Sequence, residues 1–259
     1  QGRGQESPGL TCVTPSSGCE AQARSLWYTG AMSNLKPEAF YRRNLPHFVP
    51  PGATFFITFR LAGSIPQHIL AGLKAELEQR QAELERASDA PEKVESLYLE
   101  QRRFFGKWDA VLGAGHGPDW LRQPPVAELV AGSMQYFDGQ RYELLAYCIM
   151  SNHVHLVLTP LLKTEQEYYP LAQIMHSIKG YSATQANALL GRSGAFWQHE
   201  NYDHYARSGA ELERIIWYVL NNPVKAGLVD DWTAWPWTYC KEHNPEACGT
   251  ASRNPLDCA

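Results

Sequence analysis

Two histidines separated by a single residue, His153 and His155, stand within a strongly apolar stretch of the chain. The pattern on either side predicts two buried strands that meet at a tight turn over Ser151 and Asn152. In a strand, residues i and i+2 point to the same face. The two imidazoles should therefore lie side by side, with Val154 on the opposite face. Such a pair is half of a binding site for a divalent metal ion.

A second pair of polar residues, Tyr218 and Asn222, lies at the end of a helix predicted over residues 210–221. Residues four positions apart share a helix face, so the hydroxyl and the amide can point at one place. On a helical wheel they fall beside the apolar stripe and not within it. Pro223 interrupts the helical hydrogen bonding directly after Asn222, which places the pair at a helix terminus where a site can open.

Taken together, these motifs resemble those of the REP-associated tyrosine transposases, a branch of the HUH single-strand nucleases. The resemblance rests on His153-Val154-His155, on Phe196-Trp197-Gln198-His199-Glu200 and on the Tyr-x-x-x-Asn-Pro-Val run over residues 218–224. It extends over residues 41–237. The resemblance implies that Tyr218 is the nucleophile and that His153, His155 and Asn222 bind Mg²⁺ or Mn²⁺.

The chemistry that the resemblance implies requires residues of these types. A phosphodiester is negatively charged, so a metal ion must neutralise a nonbridging oxygen and orient the phosphate. Two neutral imidazoles and an amide oxygen can hold such an ion and leave positions open. A phenol with a pKa near 10 needs nearby positive charge before it can attack. Attack would give a 5′-phosphotyrosine and a free 3′-hydroxyl, and strand transfer would need no ATP.

Several residues near the motifs have competing interpretations. Tyr181 is a rival nucleophile, although no asparagine stands four residues after it. His204 either supports the metal site as a partner of a ligand or has a structural role near Asp203. Tyr202 and Trp197 could stack on bases, with core packing the favoured use of the tryptophan.

Basic residues near the motifs are candidates for DNA binding: Arg42, Arg43, Lys179 and Lys225. An ordinary surface charge is the competing interpretation for each of them, and for Lys179 and Lys225 the two interpretations balance. The net charge of −4 and the pI near 6.2 oppose extensive coating of nucleic acid, but they allow a local basic patch that binds a short strand.

The fold class that the resemblance implies is α+β, a ferredoxin-like or RRM-like antiparallel sheet with helices packed on one face. Patterning predicts a half-buried strand over residues 54–61 and a strand pair over 141–150 and 153–159. A fourth strand is expected around 104–112 or after 224. Helices are predicted over 66–87, 92–112, 126–136, 171–190 and 210–221. The stretch over 66–112 is interpreted as a helical insertion that could touch DNA or a partner.

Composition indicates a globular protein of 259 residues, with 44% hydrophobic residues. We expect a disordered tail over 1–35, a single HUH transposase-like domain over 36–240 and a second tail over 241–259. Residues 1–31, which precede Met32, are expected to lie upstream of the natural start or to be dispensable. No apolar run is long enough for a membrane helix and no signal peptide pattern is present, so we expect a cytoplasmic protein with no membrane partner. None of the six cysteines forms a Cys-x-x-Cys pair, which argues against a zinc knuckle.

The predicted function is a metal-dependent endonuclease and transferase that acts on single-stranded or hairpin DNA, as a monomer or a homodimer. The alternative is a DNA-binding protein that keeps this fold without catalysis. An unrelated metallohydrolase is a third possibility. It fits poorly because apolar residues follow His155, where metallo-β-lactamase-type sites need aspartate and histidine, and because the second His-x-Thr/Ser motif of two-histidine phosphoesterases is missing.

Overall fold

The computed structural model describes residues 41–42, 46–47, 51–87 and 90–241. The predicted tails over 1–35 and 241–259 lie outside this part of the chain, apart from residue 241. Two short strands, β1 (Tyr41–Arg42) and β2 (Pro46–His47), pair with each other in an antiparallel ladder.

The main structure is one antiparallel sheet together with helices. Its strands are β3 (Phe55–Arg60), β4 (Tyr142–Ile149), β5 (His153–Pro160), β6 (Tyr202–Tyr205) and β7 (Thr238–Cys240). They are hydrogen-bonded in the order β6-β3-β5-β4-β7. The helices are α1 (Gln67–Ala87), α2 (Ala90–Gly113), α3 (Pro124–Gln135), α4 (Leu171–Leu189), α5 (Gly209–Leu220) and α6 (Asn222–Lys225). The predicted α+β class is confirmed.

One face of the sheet is covered by α3 and α4, as the predicted fold requires. The buried core there combines alternate residues of the strands, such as Ile57 and Val154, with helix residues such as Val130 and Ile174. The apolar period of two along the strands and of about 3.6 along the helices produces this interface.

The opposite face of the sheet is covered as well, by the helical insertion α1–α2 and by α5. Phe56 and Val157 of the sheet pack there with Phe105 of α2 and Val219 of α5. The prediction that β3 is half-buried is therefore wrong: all six of its residues are buried. The pattern showed one apolar face, and the second face is closed by a segment distant in sequence.

The expected fourth strand has two outcomes. Residues 104–112 belong to helix α2, so the strand proposed there is wrong. The proposed strand after residue 224 corresponds to β7, which pairs with β4. Strand β6 was not predicted. It pairs with the free edge of β3, with His204 opposite Phe56.

The tight turn between β4 and β5 is confirmed. The backbone N–H of Met150 donates to the carbonyl of His153 at 2.9 Å, which closes the turn over Ser151 and Asn152. The carbonyl of Asn152 also accepts from the N–H of Leu61 at 2.9 Å. These bonds fix the start of β5, where the histidines stand. Among the described residues, no helix is long and apolar enough to cross a membrane.

Candidate active site

The two histidines of β5 lie on the sheet face that α2 and α5 cover. His153 is 2% exposed and His155 is fully buried. Their Nε2 atoms are 3.1 Å apart and the rings are nearly perpendicular, at 77°. Val154 between them is buried in the opposite core. The predicted alternation and the side-by-side imidazoles are both present.

The outer nitrogens of both rings are held by neighbouring side chains. The Oδ1 of Asn152 lies 2.7 Å from His153 Nδ1, and an amide oxygen only accepts, so His153 carries its proton on Nδ1. Its Nε2 lone pair therefore points inward. Thr58 Oγ1 lies 2.8 Å from His155 Nδ1. A hydroxyl can donate or accept, so Thr58 suits either tautomer of His155, including the one with a lone pair on Nε2.

Burial sets the charge state of this pair. It lowers the pKa of His153 to about 3, and the positive charge that His155 would carry adds to the effect. Burial and then the positive charge of Lys225 lower the pKa of His155 in the same direction. Both imidazoles are neutral at pH 7, which is the state that binds metal ions.

A carboxylate that the sequence analysis missed completes the group. Asp109 of α2 is buried, and its Oδ1 lies 3.5 Å from His155 Nε2. The ligand atoms of Asp109, His153 and His155 all lie within 4.8 Å of one another. A signal was available in the sequence, because Asp109 occupies the same stripe of α2 as Phe105 and Leu112, at spacings of four and three residues.

Tyr218 of α5 lies beside the cluster of Asp109, His153 and His155. Its ring centroid is 5.4 Å from that of His155, and edge contacts with Phe56 and Phe105 hold it in place. Burial and the nearby negative charge of Asp109 raise the pKa of Tyr218 well above its usual range. Within the described part of the chain, only two buried side-chain oxygens or nitrogens lack a hydrogen-bond partner, Tyr218 Oη and Asp109 Oδ1.

Asn222 stands where the helix breaks between α5 and α6. Its Nδ2 donates to the backbone carbonyl of Tyr218 at 3.1 Å. The side chain also lies within hydrogen-bonding reach of His155. Because the amide nitrogen is engaged by the helix, Oδ1 is the atom left to face the imidazole. An amide oxygen in that position suits a hard divalent cation.

Two cations border the cluster. Lys225 Nζ lies 3.9 Å from Asp109 Oδ2 and 5.6 Å from the ring centre of Tyr218. Arg60 is 3% exposed and stands directly across from His153 in the β3–β5 ladder. Burial lowers the pKa of Arg60 to about 10, so it stays charged at neutral pH. Arg60 was missed because its strand position was predicted to face solvent.

Lys179, another basic candidate, makes its contacts outside this cluster. Lys179 of α4 donates to the backbone carbonyls of Gln198 and His199 at 2.8 and 2.9 Å, so it holds that loop. The side chain of Arg42, and Arg43 as a whole, lie outside what the structure describes. DNA binding by these three residues stays a prediction.

Three residues with competing interpretations, His204, Trp197 and Tyr181, lie in different parts of the fold. His204 Nε2 lies 3.0 Å from Glu211 Oε1 near the start of α5, so its contact is with that helix. Trp197 is buried, and its Nε1 donates to Ser182 at 2.9 Å, which makes it a core residue. Tyr181 is 57% exposed on α4 and lies across the sheet from the histidines.

The residues present fit a divalent metal ion. Two inward imidazole nitrogens, an unpartnered buried carboxylate oxygen and an amide oxygen form a mixed nitrogen and oxygen set around one point. Such a set contains no thiolate, the ligand that selects softer metals.

The family described as Transposase IS200 like matches residues 127–222, which include both histidines, Tyr218 and Asn222 but not Asp109. The chain is similar to this transposase family. A protein of Haemophilus influenzae described as a REP-associated tyrosine transposase is 27% identical over 119 residues, covering 44% of this chain and 67% of that protein. The resemblance found in the sequence is confirmed.

A solved structure described as a REP-associated tyrosine transposase bound to a REP hairpin also resembles this chain. It is 16% identical, with a TM-score of 0.44, and the match covers 77% of this chain and 81% of that structure.

Proposed function

We propose that this protein is a metal-dependent endonuclease and transferase of single-stranded DNA, which cleaves hairpin-forming repeats through a 5′-phosphotyrosine intermediate. The observation that carries the proposal is the meeting of a tyrosine hydroxyl with imidazole, carboxylate and amide groups in one buried cluster. Its members are Tyr218, His153, His155, Asp109 and Asn222. Similarity to IS200-like transposases supports the same activity.

The proposed ligands of Mg²⁺ or Mn²⁺ are His153, His155 and Asn222, with Asp109 as a further ligand from the insertion. When bound, the ion would supply the positive charge that a phosphodiester needs before a nucleophile can approach it. Asn152 keeps the Nε2 lone pair of His153 directed inward, and Thr58 accommodates the tautomer of His155 that does the same.

The proposed nucleophile is Tyr218. Its oxygen forms a bond to phosphorus while the bond between phosphorus and the 3′ oxygen breaks. The phenolic proton leaves, and the departing 3′ oxygen takes up a proton to become a hydroxyl. The bond energy is kept in the phosphotyrosine, so a 3′-hydroxyl can later attack and reseal or transfer the strand without ATP.

Access to the nucleophile is part of the proposal, because Tyr218 Oη is buried beneath α2. A strand reaches this oxygen through a local shift of the side chains that cover it, while α2 stays in place beside α5. A metal ion held by Asp109 would offset the negative charge that keeps the phenol protonated. Lys225, 5.6 Å from the ring, would then favour ionisation.

The experiment that tests this function mixes the protein with Mn²⁺ and a labelled single strand that carries a hairpin, and detects a covalent adduct on a denaturing gel. Tyr218→Phe and Tyr181→Phe run beside the wild type. We expect an adduct that only Tyr218→Phe abolishes. If only Tyr181→Phe abolishes the adduct, the assignment of Tyr218 as the nucleophile is wrong. Tight binding of several hairpins without any adduct would leave the non-catalytic DNA-binding alternative.

The metal site has its own test, which does not depend on activity. Titration of Mn²⁺, followed by electron paramagnetic resonance, should show that Asp109→Asn weakens binding about tenfold or more. Asp119→Asn is the matched control, because this aspartate has a 61% exposed side chain and only a 3.8 Å contact with Arg122. Equal affinities of the two variants would remove Asp109 from the ligand set.

The oligomeric state, monomer or homodimer, and the cytoplasmic location stay predictions. Sedimentation of the protein alone and with a hairpin strand would decide the first.

A further inference from the structure

A cleft open to solvent lies beside Tyr218, on the side of the ring away from the histidines. We call it the aromatic cleft. It encloses about 600 Å³, counting the part open to solvent. The residues that matter for its chemistry are Tyr98, Arg102, Phe105, Tyr202, Arg214 and Tyr218. Three elements contribute them: helix α2 of the insertion, strand β6 and helix α5.

The wall of the aromatic cleft is built of rings. Tyr202 and Phe105 lie with centroids 4.4 Å apart and planes tilted by 30°. Tyr98 and Tyr202 are half-buried, so each presents part of its ring to the cleft. Flat aromatic surfaces of this kind are what nucleic-acid-binding proteins use to stack unpaired bases, and every base has a π-face that fits them.

The mouth of the cleft is positively charged. Arg214 is exposed, and the guanidinium carbon of Arg102 lies 5.9 Å from the centre of the Tyr98 ring. Arg207 lies 3.4 Å above the same ring. These cations would suit the phosphates on either side of a stacked base.

One acidic group lies at the cleft, and neighbouring donors hold its carboxylate. Glu211 is 8% exposed, and its carboxylate accepts hydrogen bonds from the Tyr98 hydroxyl, from His204 at 3.0 Å and from the backbone N–H of Arg207 at 2.8 Å. Burial alone would raise the pKa of Glu211, but these bonds outweigh it and lower the pKa to about 2. The Glu211 carboxylate thus joins α2, through Tyr98, and β6, through His204, to the start of α5.

The cleft is continuous with the proposed site, because Tyr218 forms part of both. Its ring lines the cleft while its hydroxyl points toward Asp109. A strand whose phosphate reached that hydroxyl would bring the neighbouring nucleotide to the mouth of the aromatic cleft.

We propose that the aromatic cleft binds one unpaired base of the DNA strand, the base next to the cleaved phosphate. Tyr98, Phe105 and Tyr202 supply the stacking surface, and Arg102 and Arg214 contact the flanking phosphates. This inference rests on the proposed function and gives the insertion a role in substrate selection. It also explains why Tyr98 and Phe105, on α2, face β6 and α5.

The experiment uses hairpin strands with a randomised single-stranded flank. Adducts are sequenced to locate the cleaved bond, and the selected strand is then resynthesised with one abasic site at each flanking position in turn. Binding is measured with Tyr218→Phe protein, so that cleavage does not interfere. We expect one abasic position next to the cleaved bond to weaken binding by about 5- to 150-fold, the range for loss of one stacked base.

Protein variants test whether that base binds in the aromatic cleft. In Tyr98→Leu the penalty of the abasic position should shrink, because one of the three rings is gone, whereas Tyr98→Phe should retain it. The double variant Arg102→Ala and Arg214→Ala should bind more weakly and with a smaller salt dependence. Arg103→Ala is the matched control, since Arg103 is the next residue of α2 and pairs with Glu100 at 3.0 Å.

Two outcomes distinguish failure of this inference from failure of the proposed function on which it rests. An adduct with an abasic penalty that is unchanged in both Tyr98→Leu and the double arginine variant would overturn the aromatic cleft alone. Absence of both binding and adduct in the wild type would overturn the proposed function and this inference together.

Discussion

The two faces of the sheet differ sharply although both are buried. On the face toward α3 and α4, Val154 and Leu156 pack among apolar residues, and the Tyr142 hydroxyl donates to the Met134 carbonyl at 2.6 Å. On the face toward α2 and α5, buried polar groups cluster, and in the described part of the chain Tyr218 Oη and Asp109 Oδ1 make no hydrogen bond.

This difference shows where packing alone determines the residues and where it does not. A buried oxygen without a partner costs about 1–3 kcal/mol, and a fold that served only stability would replace it. The pKa values of both histidines are lowered and that of Tyr218 is raised. Residues with shifted pKa values cluster at functional sites. We call the face toward α3 and α4 the apolar face and the face toward α2 and α5 the polar face. The residues of the apolar face fit a role in stability, and those of the polar face fit the proposed site.

The largest effect should come from making the polar face resemble the apolar one. In His153→Leu with His155→Val, we expect adduct formation to fall by at least about a thousandfold, because the metal ligands are gone. The same variant should be more stable toward urea than the metal-free wild type, because a buried polar pair is replaced by apolar side chains. A variant that loses stability and keeps adduct formation would contradict the assignment.

A change on the apolar face should have the reverse effect. Leu156 is fully buried, and Leu156→Ala should lower the free energy of unfolding by about 2–5 kcal/mol through the cavity it leaves. Adduct formation per folded molecule should persist at low temperature. Leu162→Ala is the control, since Leu162 is 53% exposed and should cost less than about 0.5 kcal/mol.

Removal of one hydroxyl from each face should change stability in opposite senses. Tyr142→Phe leaves a buried carbonyl without its donor and should cost about 1–2 kcal/mol. Tyr218→Phe removes an oxygen that lies near Asp109 and Asn222 without a hydrogen bond of good geometry, so it should leave the melting temperature unchanged or raise it. Calorimetry of the two variants compares them directly. Equal destabilisation would mean that the Tyr218 hydroxyl is satisfied after all.

A pH dependence of stability is also expected, and it belongs to the polar face. The pKa values of His153 and His155 are lowered on folding, so below pH 6.5 the unfolded chain binds more protons than the folded one. Metal-free stability should therefore fall as the pH drops from 6.5 to 5, by up to about 1 kcal/mol per pH unit for each histidine. Urea titrations of His155→Asn should show a shallower slope, and an unchanged slope would contradict the burial of neutral imidazoles.

The sequence pattern predicted the elements whose signal is local. The hairpin around Ser151 and the helices follow from apolar periodicity and from turn residues. Strand β6 was missed because its four residues, Tyr202–Tyr205, are too few to show alternation.

The site was predicted in part, for a similar reason. His153, His155, Tyr218 and Asn222 stand in motifs, whereas Asp109 lies in a helix dense in charges, where one more carboxylate suggests only a solvated face. What covers the second face of the sheet depends on contacts between distant segments, and a single sequence does not display those contacts.

Asn152 has a consequence that reaches beyond the orientation of one ring. Its Oδ1 accepts from His153, while its Nδ2 donates to the carbonyl of Leu112 at 3.1 Å, near the end of α2. Through this one amide, the position of the His153 ring and the docking of the insertion on the sheet are coupled. A change in either one therefore shifts the other. An ion that immobilises His153 should slow hydrogen exchange in the last turns of α2, and Asn152→Ala should uncouple the two. The insertion would then open as readily with the ion as without it.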